Sequence, residues 1–223
     1  MHRFANRRSG IRMAVANALI ATLLAGCSGL ALPTFGANSA ENSESVHEQT
    51  IAEAEAAVFA QPGDAALRAH LGTTYLAVGR FHSAATSLAD AVTLGDESPA
   101  TALRLALALT GSGREAEAAA LLFERAEDLP TADLGLALAL AGEVEPAIRT
   151  MESAIRFGES SVALRQNLAL AYALAGRWRE ARLLAAVDVP AGEVAKRMER
   201  WATIAFNPSA TQRLAMVLKL PLD

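Results

Sequence analysis

One block of this sequence returns at a nearly constant spacing, which restricts the chain to an architecture of stacked, similar units. Gly79-Arg80-Phe81 comes back 34 residues later as Gly113-Arg114-Glu115, Gly142 follows after 29, and Gly176-Arg177-Trp178 after another 34. The surroundings of each Gly align as well. Eight residues upstream stand Leu71, Leu105, Leu134 and Leu168, each followed by Gly or Ala. Four upstream stand Tyr75, Leu109, Leu138 and Tyr172, and five downstream Ala84, Ala118, Ala147 and Ala181. Hydrophobic residues form 52% of the chain but aromatics only 5%, so the apolar content is mostly Ala and Leu. Those residues lose least on entering a helix, whereas strands favour β-branched and aromatic ones. The expected fold is all-α.

These residues resemble tetratricopeptide repeats, with Leu-Gly and Tyr on a first helix, a Gly turn, Ala on a second helix and a closing Pro. The resemblance covers about 50–190 and implies a right-handed solenoid of antiparallel helix pairs. The first repeat is expected at about 65–98 and the second at about 99–128, closed by Pro130. The third is entered near Asp128 with a first helix shortened by five residues, and the fourth starts near Val162 and stops early at Asp188-Val189-Pro190. Upstream, 50–62 resembles a lone second helix, so the repeat region as a whole is placed at 46–190. After Pro190 the pattern changes. An amphipathic helix is expected over 191–205, a break at Asn207-Pro208, and a short helix over 209–220, so that 191–223 caps the solenoid's final apolar face.

Residues 1–26 read as an export signal. Arg3, Arg7, Arg8 and Arg12 precede an apolar run of twelve residues, Met13 to Leu24, broken only by Asn17 and Thr22. A span across a bilayer core needs about 20 apolar residues, so a run this short suits a signal-peptide core. It ends in Leu24-Ala25-Gly26-Cys27, which resembles the lipobox of bacterial lipoproteins. The resemblance implies cleavage before Cys27 and a diacylglyceryl group on its thiol, and two or more acyl chains give stable anchoring. Ser28 rather than Asp follows, which in enterobacterial-type sorting implies the periplasmic face of the outer membrane. Residues 27–45 lack a helical period and are expected to be a flexible tether.

Catalytic chemistry has no candidate in this chain. His70 and His82 have no Cys or paired acid at metal-ligand spacing and read as surface residues. Gly111-Ser112-Gly113 lacks the Lys-Ser/Thr of a phosphate loop and reads as a repeat turn. Glu53, Glu55, Glu115 and Glu117 read as a solvated face. The formal charge of −4 divides into +4 before Cys27 and −8 after it, and an acidic body argues against nucleic acid. One Cys excludes an intrachain disulfide. No enzyme activity, cofactor, metal or small-molecule substrate is expected.

Binding remains. Family geometry places two positions of each first helix on the concave face: Ala69 and Thr73, Leu103 and Leu107, Ala132 and Leu136, Gln166 and Leu170. Such an apolar groove suits an amphipathic helix or an extended apolar segment. The same leucines read equally as packing between Ala-rich helices. The stretch from Gln166 to Trp178, followed by Ala181 and Asp188-Val189-Pro190, is similar to TadD-type proteins, the tetratricopeptide lipoproteins of the tight-adherence (Flp) pilus system. That resemblance implies a non-enzymatic part in assembling the pilus machine, as a pilotin-like helper of the secretin. The competing expectation is an outer-membrane lipoprotein adaptor for outer-membrane protein insertion or peptidoglycan enzymes.

Overall fold

The computed structural model describes residues 38–220, with side chains from Ser45 onward, so Cys27, the export signal and the start of the tether lie outside the described residues. The described residues form eleven α-helices and no strand. They are α1 (Asn38–Ala60), α2 (Ala65–Ala77), α3 (Phe81–Thr93), α4 (Pro99–Gly111), α5 (Glu115–Glu124), α6 (Thr131–Leu140), α7 (Val144–Arg156), α8 (Val162–Leu174), α9 (Trp178–Asp188), α10 (Ala191–Ala205) and α11 (Ala210–Leu218). Helices α2/α3, α4/α5, α6/α7 and α8/α9 are the four repeats, and each second helix packs on the next first helix. None of the described helices is long and apolar enough to cross a membrane.

First and second helices start by different local means. Three first helices begin at a side-chain cap, with Asp64, Ser98 and Ser161 accepting from backbone N–H groups two or three residues on. The second helices have no side-chain cap and follow a tight turn. Gly79, Gly113, Gly142 and Gly176 make that turn at φ of +76°, +78°, +94° and +74°, where a Cβ would be strained. The pairs then close on small residues. Ala84, Ala118, Ala147 and Ala181 are all fully buried. A Cβ added at Gly72 would lie 2.5 Å from Leu88 Cγ, and one at Gly135 2.5 Å from Met151 Cγ. Glycine there lets the helices approach within contact of a large side chain.

Three boundaries differ from the sequence reading. Helix α1 begins at Asn38, inside the segment expected to be tether and well ahead of Thr50. No Pro or Gly interrupts 38–60, and Ile51, Ala54 and Val58 bury one face, so nothing stops the helix earlier. The short third spacing does not come from one helix. Helices α5 and α6 have ten residues each against thirteen in α3 and α4, and the intervening loop 125–130 is one residue longer than 94–98. Helices α5 and α6 lie on either side of that loop, so two consecutive repeats share the shortening. Finally, α10 packs on α8 and α9 at the end of the solenoid, but α11 does not stay there. It returns to pack on α4 and α6, the first helices of repeats two and three.

Candidate interaction surface

The eight positions expected on the concave face fall into two groups. On α2 and α6, Ala69, Thr73, Ala132 and Leu136 are half-buried. On α4 and α8, Leu103, Leu107, Gln166 and Leu170 are buried, at 4%, 8%, 6% and 7% exposure. The structure brings the eight onto successive first helices but leaves no open trough over α4 and α8, because the C-terminal helices sit on them.

Helix α11 covers the middle of that face. Leu214 is fully buried and Ala215 nearly so. Burial of one leucine side chain is worth about 1.5–3 kcal/mol relative to exposure. Thr211 Oγ1 donates to Gly111 O at 2.8 Å, which satisfies a carbonyl at the end of α4. Leu220 lies against the Gly79 turn, 3.5 Å from where a Cβ would stand. Sequence reasoning took Gly111 only as part of a turn. Its absent side chain is needed for packing, because a Cβ there would lie 2.3 Å from the Phe81 ring.

Helix α10 is secured differently, through polar groups. Arg165 donates from Nε to Asp188 Oδ2 at 2.8 Å and from a terminal nitrogen to Asp188 Oδ1. Gln166 Nε2 donates to Asp188 Oδ2 at 3.1 Å, and Gln166 Oε1 accepts from Arg197 of α10. The hydrogen bond from Arg165, helped by that from Gln166, holds the Asp188 carboxyl below the usual range against the opposing effect of burial. Gln166 is thus a tie between α8, α9 and α10 rather than a ligand-facing amide. The Asp-Val-Pro sequence also acquires a role, since its Asp is the centre of this network.

The outer side repeats a second polar arrangement. Tyr75 donates to Glu55, and Tyr172 donates to Glu152 at 2.7 Å, in each case from a first helix to the preceding second helix. Arg177 stacks 4.4 Å from the centre of the Tyr172 ring. Both hydroxyls are pushed up to about 12, by burial first and by the neighbouring carboxylate second. Beside Tyr172 lies an open apolar groove of about 480 Å³ between α7 and α9, with Leu168 and Tyr172 from α8 and with Leu183 and Val187 along α9. Leu183 and Val187 are 63% and 64% exposed. The corresponding residues of α7 are Arg149 and Ser153, so this stripe belongs to the fourth repeat and not to the repeat pattern.

His70 and His82 are exposed, and no group of three or more His, Cys, Asp or Glu among the described residues is placed to hold a metal. Neither a family model nor a curated protein matches the chain. Among solved structures it is similar to the crystal structure of YrrB, described as a TPR protein with an unusual peptide-binding site. The two share 16% identity over 73% of this chain and 88% of YrrB, with a TM-score of 0.52. At that identity the likeness speaks for the fold, and it agrees with four helix pairs closing on turn Gly and buried Ala. The chain has the fold of a tetratricopeptide-repeat helical solenoid.

Proposed function

We propose that this chain is a non-enzymatic, lipid-anchored scaffold that binds other proteins while a tight-adherence type pilus is assembled in a bacterial envelope. The observation that carries the scaffold reading is the fold itself, a solenoid whose extended faces suit protein partners. The envelope reading rests on Leu24-Ala25-Gly26-Cys27 behind a basic and apolar leader, with Ser28 pointing to the outer membrane. The pilus reading rests on the likeness of 166–190 to TadD-type proteins, and it makes the secretin the foremost partner. The test is in-cell crosslinking of the full chain and of Cys27→Ala, with identification of the crosslinked proteins and a count of surface pili. The expected result is crosslinking to the secretin or another pilus component, acyl labelling that Cys27→Ala abolishes, and fewer pili in that variant. Crosslinks to outer-membrane insertion proteins or peptidoglycan enzymes, with pili unchanged, would overturn the pilus reading in favour of a general adaptor.

A further inference from the structure

Helix α11 differs from the other helices in where it packs and in what holds it there. It lies on the shared face of the first helices, where repeat geometry seats a partner, and it covers α4 and α6. Its hold on that face is mostly apolar. Leu214 and Ala215 are buried there, and among the described residues the hydrogen bond between α11 and a first helix is Thr211 to Gly111. Helix α10, by contrast, is tied through Arg197 to the buried Gln166 and Asp188. Apolar contact is non-directional, so another helix with the same pattern can replace it.

Helix α11 is also built as a unit that can leave. Its N-terminus is capped from within, Ser209 Oγ accepting from Gln212 N at 3.2 Å and Asn207 Oδ1 from Ser209 N at 2.9 Å. Arg213 donates to Asn207 O at 2.9 Å, and at the other end Leu220 N donates to Ala215 O beyond a left-handed Lys219. The link to α10 is only 206–209 and contains Pro208, which has no N–H to continue a helical ladder. Nine residues are too few for a stable isolated helix in water, so a longer incoming helix has the advantage over a released α11.

We propose that α11 is a displaceable occupant of the seat over α4 and α6, and that the seat's partner is an amphipathic helix of another protein carrying α11's apolar pattern. Resting on the scaffold reading above, this names the face that works and the state in which it is closed. While α11 stays tethered, its local concentration is about millimolar, so a partner must exceed that competition. The outer α7–α9 groove is an open apolar surface, but nothing in the structure shows what covers it.

The test uses the full mature chain and, as probe, a fluorescent synthetic peptide of residues 207–223. Leu214→Asp should expel α11 and bind the peptide at least tenfold more tightly than the unaltered chain. A peptide that itself carries Leu214→Asp should bind neither. A well-folded Leu214→Asp chain that ignores the peptide overturns the proposal and leaves α11 a fixed cap. If Leu214→Asp does not fold, hydrogen exchange of the unaltered chain decides. Amides of 211–218 should then exchange at least tenfold faster than those of α4 and α8, and equal protection overturns the proposal. A stable dimer of the unaltered chain with exchanged α11 would assign the seat to a second copy and overturn the partner. Neither lipid nor pilus enters this assay, so its failure leaves the scaffold reading standing, and peptide capture survives if no pilus component is found.

Discussion

Helices α2 and α4 hold the same place in successive repeats, yet one is half open and the other enclosed. On α2 only Leu71, Gly72 and Leu76 are buried, whereas on α4 every residue from Thr101 to Gly111 except Arg104 is. Their internal construction does not explain this. Both start at a side-chain cap, both end near a positive-φ Gly, and both set a small residue against the second helix. What differs is the face they share with the other first helices. Helix α11 packs on α4, while α2's repeat receives Leu220 against its Gly79 turn. The interior of a repeat is therefore set by the repeat sequence, and its concave face by the non-repeating residues after Pro190.

The largest expected effect exploits that difference directly. Leu103→Glu with Leu107→Glu places two carboxylates in packed apolar space, and an uncompensated buried charge costs about 3–5 kcal/mol. Two of them approach the whole stability of a domain, about 5–15 kcal/mol, and release of α11 relieves only part of that, so cooperative thermal unfolding monitored by circular dichroism should shift well down. The same pair of changes on α2, Ala69→Glu with Thr73→Glu, should cost no more than about 1 kcal/mol. Equal melts for the two pairs would mean that α11 does not enclose α4 in solution. Next in size is Gly111→Ala, which drives a Cβ into the Phe81 ring and should cost about 1–3 kcal/mol by chemical denaturation. For Gly135→Ala, the three atoms nearest the added Cβ all belong to the unbranched Met151 side chain. The helix-propensity gain of roughly 1 kcal/mol should offset most of that clash.

The unevenness of the sequence reading has the same origin. Turn Gly, buried Ala, and the starts of α2, α8 and α10 could be read because each depends on neighbours at fixed, repeating offsets. The start of α1 was missed because Ser, Asn and Glu composition suggested a tether, while what extends a helix is the absence of a breaker. The loss of three residues from each of α5 and α6, with one added to the loop, was missed because spacing records only the net change of five. The return of α11 had no local signal at all. Its amphipathic pattern shows that 209–220 needs an apolar surface but not which one, and the fully apolar α4 needs cover without naming it. Only the pairing of two such unsatisfied faces decides it, and that is a tertiary fact.

On the opposite side the two ends of the solenoid should behave alike. The chain has two Tyr, and both occupy the position four before a turn Gly, each donating to a Glu. Because each folded hydroxyl is raised to about 12, the stability it contributes is present below the ordinary Tyr value near 10. It is lost as pH rises through about 12. Alkaline absorbance titration of Tyr75→Phe and Tyr172→Phe reads each remaining hydroxyl alone, and both should ionise near 12 while the chain stays folded. Ionisation of one near 10 would break the equivalence of repeats one and four. By denaturation, Tyr172→Phe should cost about 1 kcal/mol, the ordinary worth of one hydrogen bond.

The smallest effect concerns the position nine before each turn Gly, where α2 carries His70 and α6 carries Asp133. His70 is exposed, and His70→Asn should change stability by less than about 0.5 kcal/mol. Asp133 is half-buried, has no side-chain hydrogen bond or ion pair among the described residues, and burial raises its carboxyl above the usual value. It sits in the first turn of α6, and desolvation is what raises it. With the folded value above the unfolded one, the favourable contribution is present below the unfolded value and is lost as pH rises through the folded one. At neutral pH the ionised carboxylate is therefore a small liability. Asp133→Asn should stabilise the chain at pH 7 by no more than roughly 0.5 kcal/mol once solvent screening is counted, and the gain should vanish near pH 3 as the carboxyl protonates. Denaturant midpoints of the two chains at both pH values measure it. A loss at pH 7 would mean that the carboxylate is held by a cation on this face, and the enclosure of α6 would then be partly electrostatic.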